Sequence, residues 1–170
     1  MTARRRPGTK GATILEFSLV GIGLIFVVIS FFEIARGMWT YHTMSYAVRE
    51  GARYAAVHGK SCASPASCLV TVAQIAAVVK SAGPGLDPDN TTLTLTPAAG
   101  SATSDTITHL LGNTATDWPP VSAYAPGQPV KISATYPFRT FLALFWMGQR
   151  TVNDSQVFQL GASSTELIQF

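Results

Sequence analysis

A chain of 170 residues with 47% hydrophobic and only 12% charged side chains has room for one membrane helix and a head domain of roughly 110 residues, not for two large domains. The formal charge of +3 belongs to the leader: Arg4, Arg5, Arg6 and Lys10 are four of the 12 Lys and Arg, which leaves 8 basic against 9 acidic side chains afterwards. No basic surface for nucleic acid is indicated.

The first organised element is the run Ala12 to Phe32, 21 residues whose only charge is Glu16. That length matches the roughly 20 residues that cross a bilayer as a helix. The basic cluster before the run predicts a cytoplasmic N-terminus and a head on the other side. A secretory signal peptide is disfavoured, because the apolar run exceeds the usual length of about 7 to 15 residues and no small-x-small site closes it before Phe31-Phe32-Glu33.

Glu16 does not belong in an ordinary anchor, since a charge in hydrocarbon costs about 2.5 to 3.5 kcal/mol on insertion scales. Cleavage after Gly11 would supply a cation, the α-amine of Ala12, one helical turn from the carboxylate. It would also remove the basic leader. A plain signal-anchor explains the apolar run and leaves Glu16 without a reason.

From Glu33 to Val57 there is no Pro, and Met38, Tyr41, Ser45, Val48, Ala52 and Ala55 recur at spacings of three and four, the signature of one apolar helix face. A single helix is predicted from about Ala12 to His58. Gly51, Ala52, Ala55 and Ala56 would let a sheet pack close, with Arg49, Glu50 and Arg53 on the other side. That trio reads either as a solvated face with a weak Glu50 to Arg53 pair or as a subunit contact. Gly21 and Gly23 are tolerated in membrane helices and do not form a small-xxx-small pattern.

At Gly11 followed by Glu16-Phe17, at Phe32-Glu33-Ile34-Ala35-Arg36, and at Ala47-Val48-Arg49-Glu50-Gly51-Ala52-Arg53-Tyr54-Ala55-Ala56, the chain resembles the class III (type IV-like) prepilins. Specifically, it resembles the TadE-like minor pilins of tight-adherence (Tad/Flp) pili and their type II-type secretion apparatus, over residues 11 to 57. The resemblance implies a leader over 1–11 cut between Gly11 and Ala12 by a prepilin peptidase, a transmembrane helix over 12–34 and an extracytoplasmic head over 35–170. It implies that Glu16 and Phe17 set assembly register, the carboxylate pairing with the processed amine of a neighbouring subunit, and it makes Arg49, Glu50 and Arg53 a candidate subunit contact. The implied partners are the membrane, other pilins, assembly-platform proteins and the peptidase. The implied location is the bacterial cell membrane, single-pass, with passage into a surface pilus.

His58-Gly59 is a helix stop. Cys62 and Cys68 follow; in an exported domain an even pair at short spacing favours a disulfide, and a zinc site would need further ligands that are not near by. Leu69 to Ala82 reads as a second helix with Val72, Ile75, Ala76 and Val79 on one face, stopped by Gly83-Pro84-Gly85. Thr91 to Thr96 alternates as a strand halted by Pro97. Residues 97–128 read as a long variable loop with a short turn or strand near Ile107 to Leu111, and Pro129 to Tyr136 as the strongest strand. Phe138 to Met147 is too short to span a bilayer. It reads as a short core helix or, through Phe141, Leu142, Phe145 and Trp146, as an apolar loop at the outer membrane interface or against another subunit. Gln156 to Leu160 and Thr165 to Phe170 read as two short strands around a Gly161-Ala162-Ser163 turn.

No G-x-S-x-G, H-E-x-x-H, P-loop or Rossmann pattern is present, and His42, His58 and His109 are scattered. Asp87-x-Asp89-x-Thr91 lacks the Gly and Glu of a calcium loop. The expectation is therefore no enzyme, cofactor, metal, small-molecule substrate or nucleic acid. The predicted fold class is α+β: a long N-terminal transmembrane helix continuing into a pilin-like head with a second helix and a small antiparallel sheet. The predicted function is a minor pseudopilin; the alternative is an unprocessed, single-pass surface or scaffold protein whose ectodomain binds a partner.

Overall fold

One unbroken helix, α1 (Lys10–Val57, 48 residues), organises the computed structural model, which describes residues 10–58, 70–123, 125–140 and 158–169. At 1.5 Å per residue it is about 72 Å long, more than twice the roughly 30 Å of a bilayer core. Its N-terminal half contains an 18-residue stretch with mean hydropathy 2.5 and no residue buried against the rest of the chain. The helix therefore has the length and composition of a membrane anchor.

The C-terminal half is the spine of the head. Met44, Ala47, Val48, Gly51, Ala52 and Ala55 are buried in a stripe of three- and four-residue steps, as an amphipathic helix requires. Met38 and Tyr41, expected on that face, are instead exposed, at 57% and 45%. The contact line below Met44 passes through the half-buried Thr40 and Gly37, which turns the bulkier neighbours outward.

The second helix, α2 (Val72–Ala82), begins later than its apolar pattern suggests because Thr71 caps it. Thr71 Oγ1 accepts from the Gln74 N–H at 3.3 Å, and Gln74 Oε1 accepts from the Thr71 N–H at 3.0 Å, a reciprocal capping box. The next two N–H groups, of Val72 and Ala73, are taken by the carbonyls of Thr116 and Asn113, so the segment after residue 111 is pinned to the start of α2. The predicted face is buried: Val72, Ile75, Ala76 and Val79. The two helices pack closely at Gly51, where a Cβ would stand 2.5 Å from Val79 Cγ2.

Four antiparallel strands, β1 (Thr92–Thr96), β2 (Thr103–Thr106), β3 (Pro129–Phe138) and β4 (Phe158–Leu167), form one sheet in the order β2-β1-β3-β4. Leu93, Leu95, Val130, Ile132 and Ala134 bury alternate positions against the helices, while the intervening threonines and Lys131 line the outer face. The architecture is α+β, two layers with helices on one face of the sheet.

Two expectations are corrected. Residues 97–128, expected as a long loop with a short turn or strand near Ile107 to Leu111, hold the strand β2 at Thr103–Thr106, which runs directly into a one-turn helix, α3 (Ile107–Leu111). The β2 sequence has no apolar alternation to announce it, and it is held as an edge strand by pairing with β1, including a Thr94–Ser104 hydroxyl contact of 2.8 Å. Nor do Gly161-Ala162-Ser163 turn a hairpin; they pair residue for residue with Thr135-Ala134-Ser133 inside a ten-residue β4. Their small side chains let this strand lie against α1 beside an unbroken ten-residue β3.

The direction of β4 positions the rest. Phe158, at its start, shares a groove with Ile34 and Met38, and after its end the Gln169 N–H donates to the Ala56 carbonyl at 2.9 Å. Thus β4 runs alongside α1 in the same direction, nine strand steps of about 30 Å against about 28 Å of helix from Gly37 to Ala56. β3 runs back, so the β3 to β4 crossover leaves from the end of the head nearest the apolar half of α1.

Candidate assembly site and membrane exit

Gly11 and Glu16 lie in the first two turns of α1 and are exposed, as is Phe17 at 79%. A Cβ on Gly11 would meet nothing within 4 Å, so the chain's own fold does not demand a glycine there. From position 12 to Glu16 is one turn, about 6 Å of rise. Among the described residues no cation pairs with the Glu16 carboxylate. Within the described residues, the apolar half of α1 thus carries a carboxylate with no cation beside it.

The trio Arg49, Glu50 and Arg53 is divided by the packing. Both arginines are exposed, and Glu50, half-buried, sits 3.7 Å from Arg53 Nη1, an exposed pair worth at most about 1 kcal/mol. Glu50 also lines a groove between α1 and α2 with Trp39, His42 and Tyr46. Cys62, Cys68, Phe141, Leu142, Phe145 and Trp146 lie outside the described residues.

A constellation missing from the sequence reading is found where α1 meets the end of β3. Arg36 Nη2 lies 2.9 Å from Glu33 Oε2 and donates to the Arg139 carbonyl, and its guanidinium carbon stands 4.5 Å from the centre of the Phe138 ring. The Phe138 ring rests in turn on Gly37, whose missing Cβ would be 3.5 Å from it. One arginine therefore makes an ion pair on its own helix, a main-chain hydrogen bond and a cation–π contact across the layers. The Glu33 and Arg36 half was legible as an acidic and basic pair one turn apart; the β3 half, a hundred residues away, carried no signal.

Against known proteins, residues 11–53 match the family model described as TadE-like protein, while no curated protein and no solved structure matches the chain. The matched segment runs from Gly11 through the apolar half of α1, the Glu33 and Arg36 pair and Gly51, and stops two residues before Ala55. In its span and in most of its contact with the head, the long helix is similar to this TadE-like family, a likeness that covers residues 11–53 and not the rest of the head.

Proposed function

We propose that the protein is a minor pseudopilin of a tight-adherence pilus, made as a precursor with its leader in the cytoplasm and its head outside, and cut between Gly11 and Ala12. The observation that carries this reading is a helix similar to the TadE-like family whose apolar half is exposed among the described residues and bears a carboxylate at the fifth position after Gly11. Cleavage would place the new α-amine of one subunit where it can meet Glu16 of a neighbour once their helices bundle. In that low-dielectric setting an amine and a carboxylate each demand the other. Phe17 beside it offers a large apolar surface to the same bundle. The role is structural: the helix binds other helices and the head is carried with it.

The test is the mature N-terminus. Protein recovered from cells that hold the prepilin peptidase should begin at Ala12 when sequenced by Edman degradation or mass spectrometry. Gly11→Ala should be processed better than Gly11→Leu, because a pocket for a small residue rejects added volume. Recovery of an intact Met1 or Thr2 start would leave a single-pass anchored ectodomain in its place.

A further inference from the structure

Two grooves flank α1 at the end of the head nearest the apolar span, and the described chain fills neither. One, of about 440 Å3, runs from Ser30 past Ile34 and Met38 to Phe158 and Leu160, with walls almost entirely of carbon. Ser30 adds no polar demand there, since its hydroxyl donates to the Phe26 carbonyl at 2.8 Å. The other, of about 560 Å3, is polar and is lined by Arg36, Trp39, Asn90, Tyr136 and Arg139. Phe138, seated on Gly37 beneath the Arg36 guanidinium, touches both.

Their height along α1 decides what faces them. The apolar run ends at Phe32, and from there Ile34 is about 3 Å, Arg36 about 6 Å and Met38 about 9 Å further along the axis. The headgroup layer on each side of a bilayer is about 5 to 8 Å thick. The carbon-walled groove therefore starts at the level of the span, at Ser30, and both grooves cross the headgroup layer. Phe158 on β4, 64% exposed, lies at that level beside Ile34, 62% exposed, so its ring continues the surface of the span and is not an isolated patch on the head. Two guanidinium groups, Arg36 and Arg139, stand at phosphate height; Arg36 is paired with Glu33, the Asp87 carboxylate is held by Asn90, and Trp39 and Tyr136 beside them are residue types suited to the interface.

We propose that this end of the head is a membrane foot that takes the phospholipid surface itself: Phe158 rests on the upper acyl carbons of the leaflet, and Arg36 and Arg139 face the phosphate of an anionic phospholipid. This rests on reading α1 as a membrane span, and the experiment separates the two. The full-length chain is placed in nanodiscs of phosphatidylcholine, with or without phosphatidylglycerol, with Phe158 replaced by the photo-crosslinker p-benzoylphenylalanine. A control carries the crosslinker in place of Thr165, exposed on the same strand about 23 Å further along.

Illumination should give a lipid-mass adduct at position 158 at least tenfold above that at 165. Arg139→Glu should bring the yield in phosphatidylglycerol discs down to that in phosphatidylcholine. That side chain is exposed, and it is the Arg139 carbonyl that takes the Arg36 hydrogen bond, so the fold should tolerate the change. Protein that enters discs but gives equal lipid adducts at 158 and 165, or crosslinks from 158 to a second copy of the chain, overturns the foot. An unchanged lipid preference in Arg139→Glu overturns the phosphate contact. Failure to enter discs overturns the reading of α1 as a span and the foot with it.

Discussion

Gly51→Ala tests the packing of α1 on α2 with a single carbon. In an open helix the change would stabilise by about 1 kcal/mol, because alanine outranks glycine in helix interiors. At this site the new Cβ would stand 2.5 Å from Val79 Cγ2, and Val79 is a β-branched residue with one strongly preferred rotamer in its own helix. Overpacking of this kind costs about 1 to 3 kcal/mol, so the net loss is about 1 kcal/mol, or a Tm lowered by roughly 4 to 8 °C for a domain near 100 residues. Gly37→Ala is the internal control: its Cβ would make an ordinary 3.5 Å contact with Phe138, so propensity should win and Tm should rise. Thermal unfolding of the full chain in detergent, followed by near-ultraviolet circular dichroism of the head, reads both signs. Adding Val79→Ala to Gly51→Ala should recover part of the loss relative to the sum of the single changes. A Gly51→Ala protein that gains stability as Gly37→Ala does, or an additive double variant, would refute the close-approach argument.

Glu16→Gln should leave insertion and processing intact, since it removes only charge from a span, and should abolish incorporation by stranding a neighbour's amine at a cost on the order of 3 to 5 kcal/mol; fractionation and shearing of filaments distinguish the steps. Arg36→Ala should free the end of β3 by removing the cation–π contact with Phe138 and the hydrogen bond to the Arg139 carbonyl, together about 1 to 2 kcal/mol, read as faster amide exchange over residues 136–139; unchanged exchange there would deny the clamp. Cys62 and Cys68 in protein from the envelope should resist alkylation until reduced, and their loss should soften the head by at most about 3 kcal/mol; free thiols would count against both bond and topology.

How much of this was legible in the sequence follows the range of the forces involved. α1, α2, β1 and β3 announced themselves because each pattern is local: an apolar run of membrane length, a stripe at helical spacing, or alternation such as Leu93 and Leu95 against Thr92, Thr94 and Thr96. The start of α2 was misplaced by the apolar Leu69 and Val70, when the capping pair Thr71 and Gln74 was the better boundary. β2 was hidden because Thr103-Ser104-Asp105-Thr106 owes its extended shape to β1 and not to its own side chains. β4 was broken in two by a composition that suits a turn in isolation; the sheet register and the neighbouring helix overrode it. Of the candidate site, Gly11 and Glu16 were visible because a charge in an apolar run is locally anomalous. The joining of Arg36 to Phe138 and Arg139 was not, because only the return of β3 along α1 brings them together.

The same geometry sets the relative size of the forces that would act in assembly. Thirteen large apolar side chains from Ile14 to Phe32 are exposed on α1, and at about 1.5 to 3 kcal/mol each their transfer into water would cost on the order of 20 to 40 kcal/mol. No pairing of Glu16 with an amine, at a few kcal/mol, could offset that. The span can therefore leave lipid only by passing into another apolar surround, and a bundle of similar helices supplies one at little change in apolar burial, because lipid tails and leucine side chains are nearly equivalent solvents. That near-balance is what allows a small polar term to matter. In the proposed bundle, sliding one helix past another by a turn would barely alter the apolar contacts but would separate a carboxylate from its amine, so the charge pair would choose the axial position while the hydrophobic surface supplied the confinement. Glu16 would then be a register mark on a helix whose affinity for its neighbours comes from everything around it.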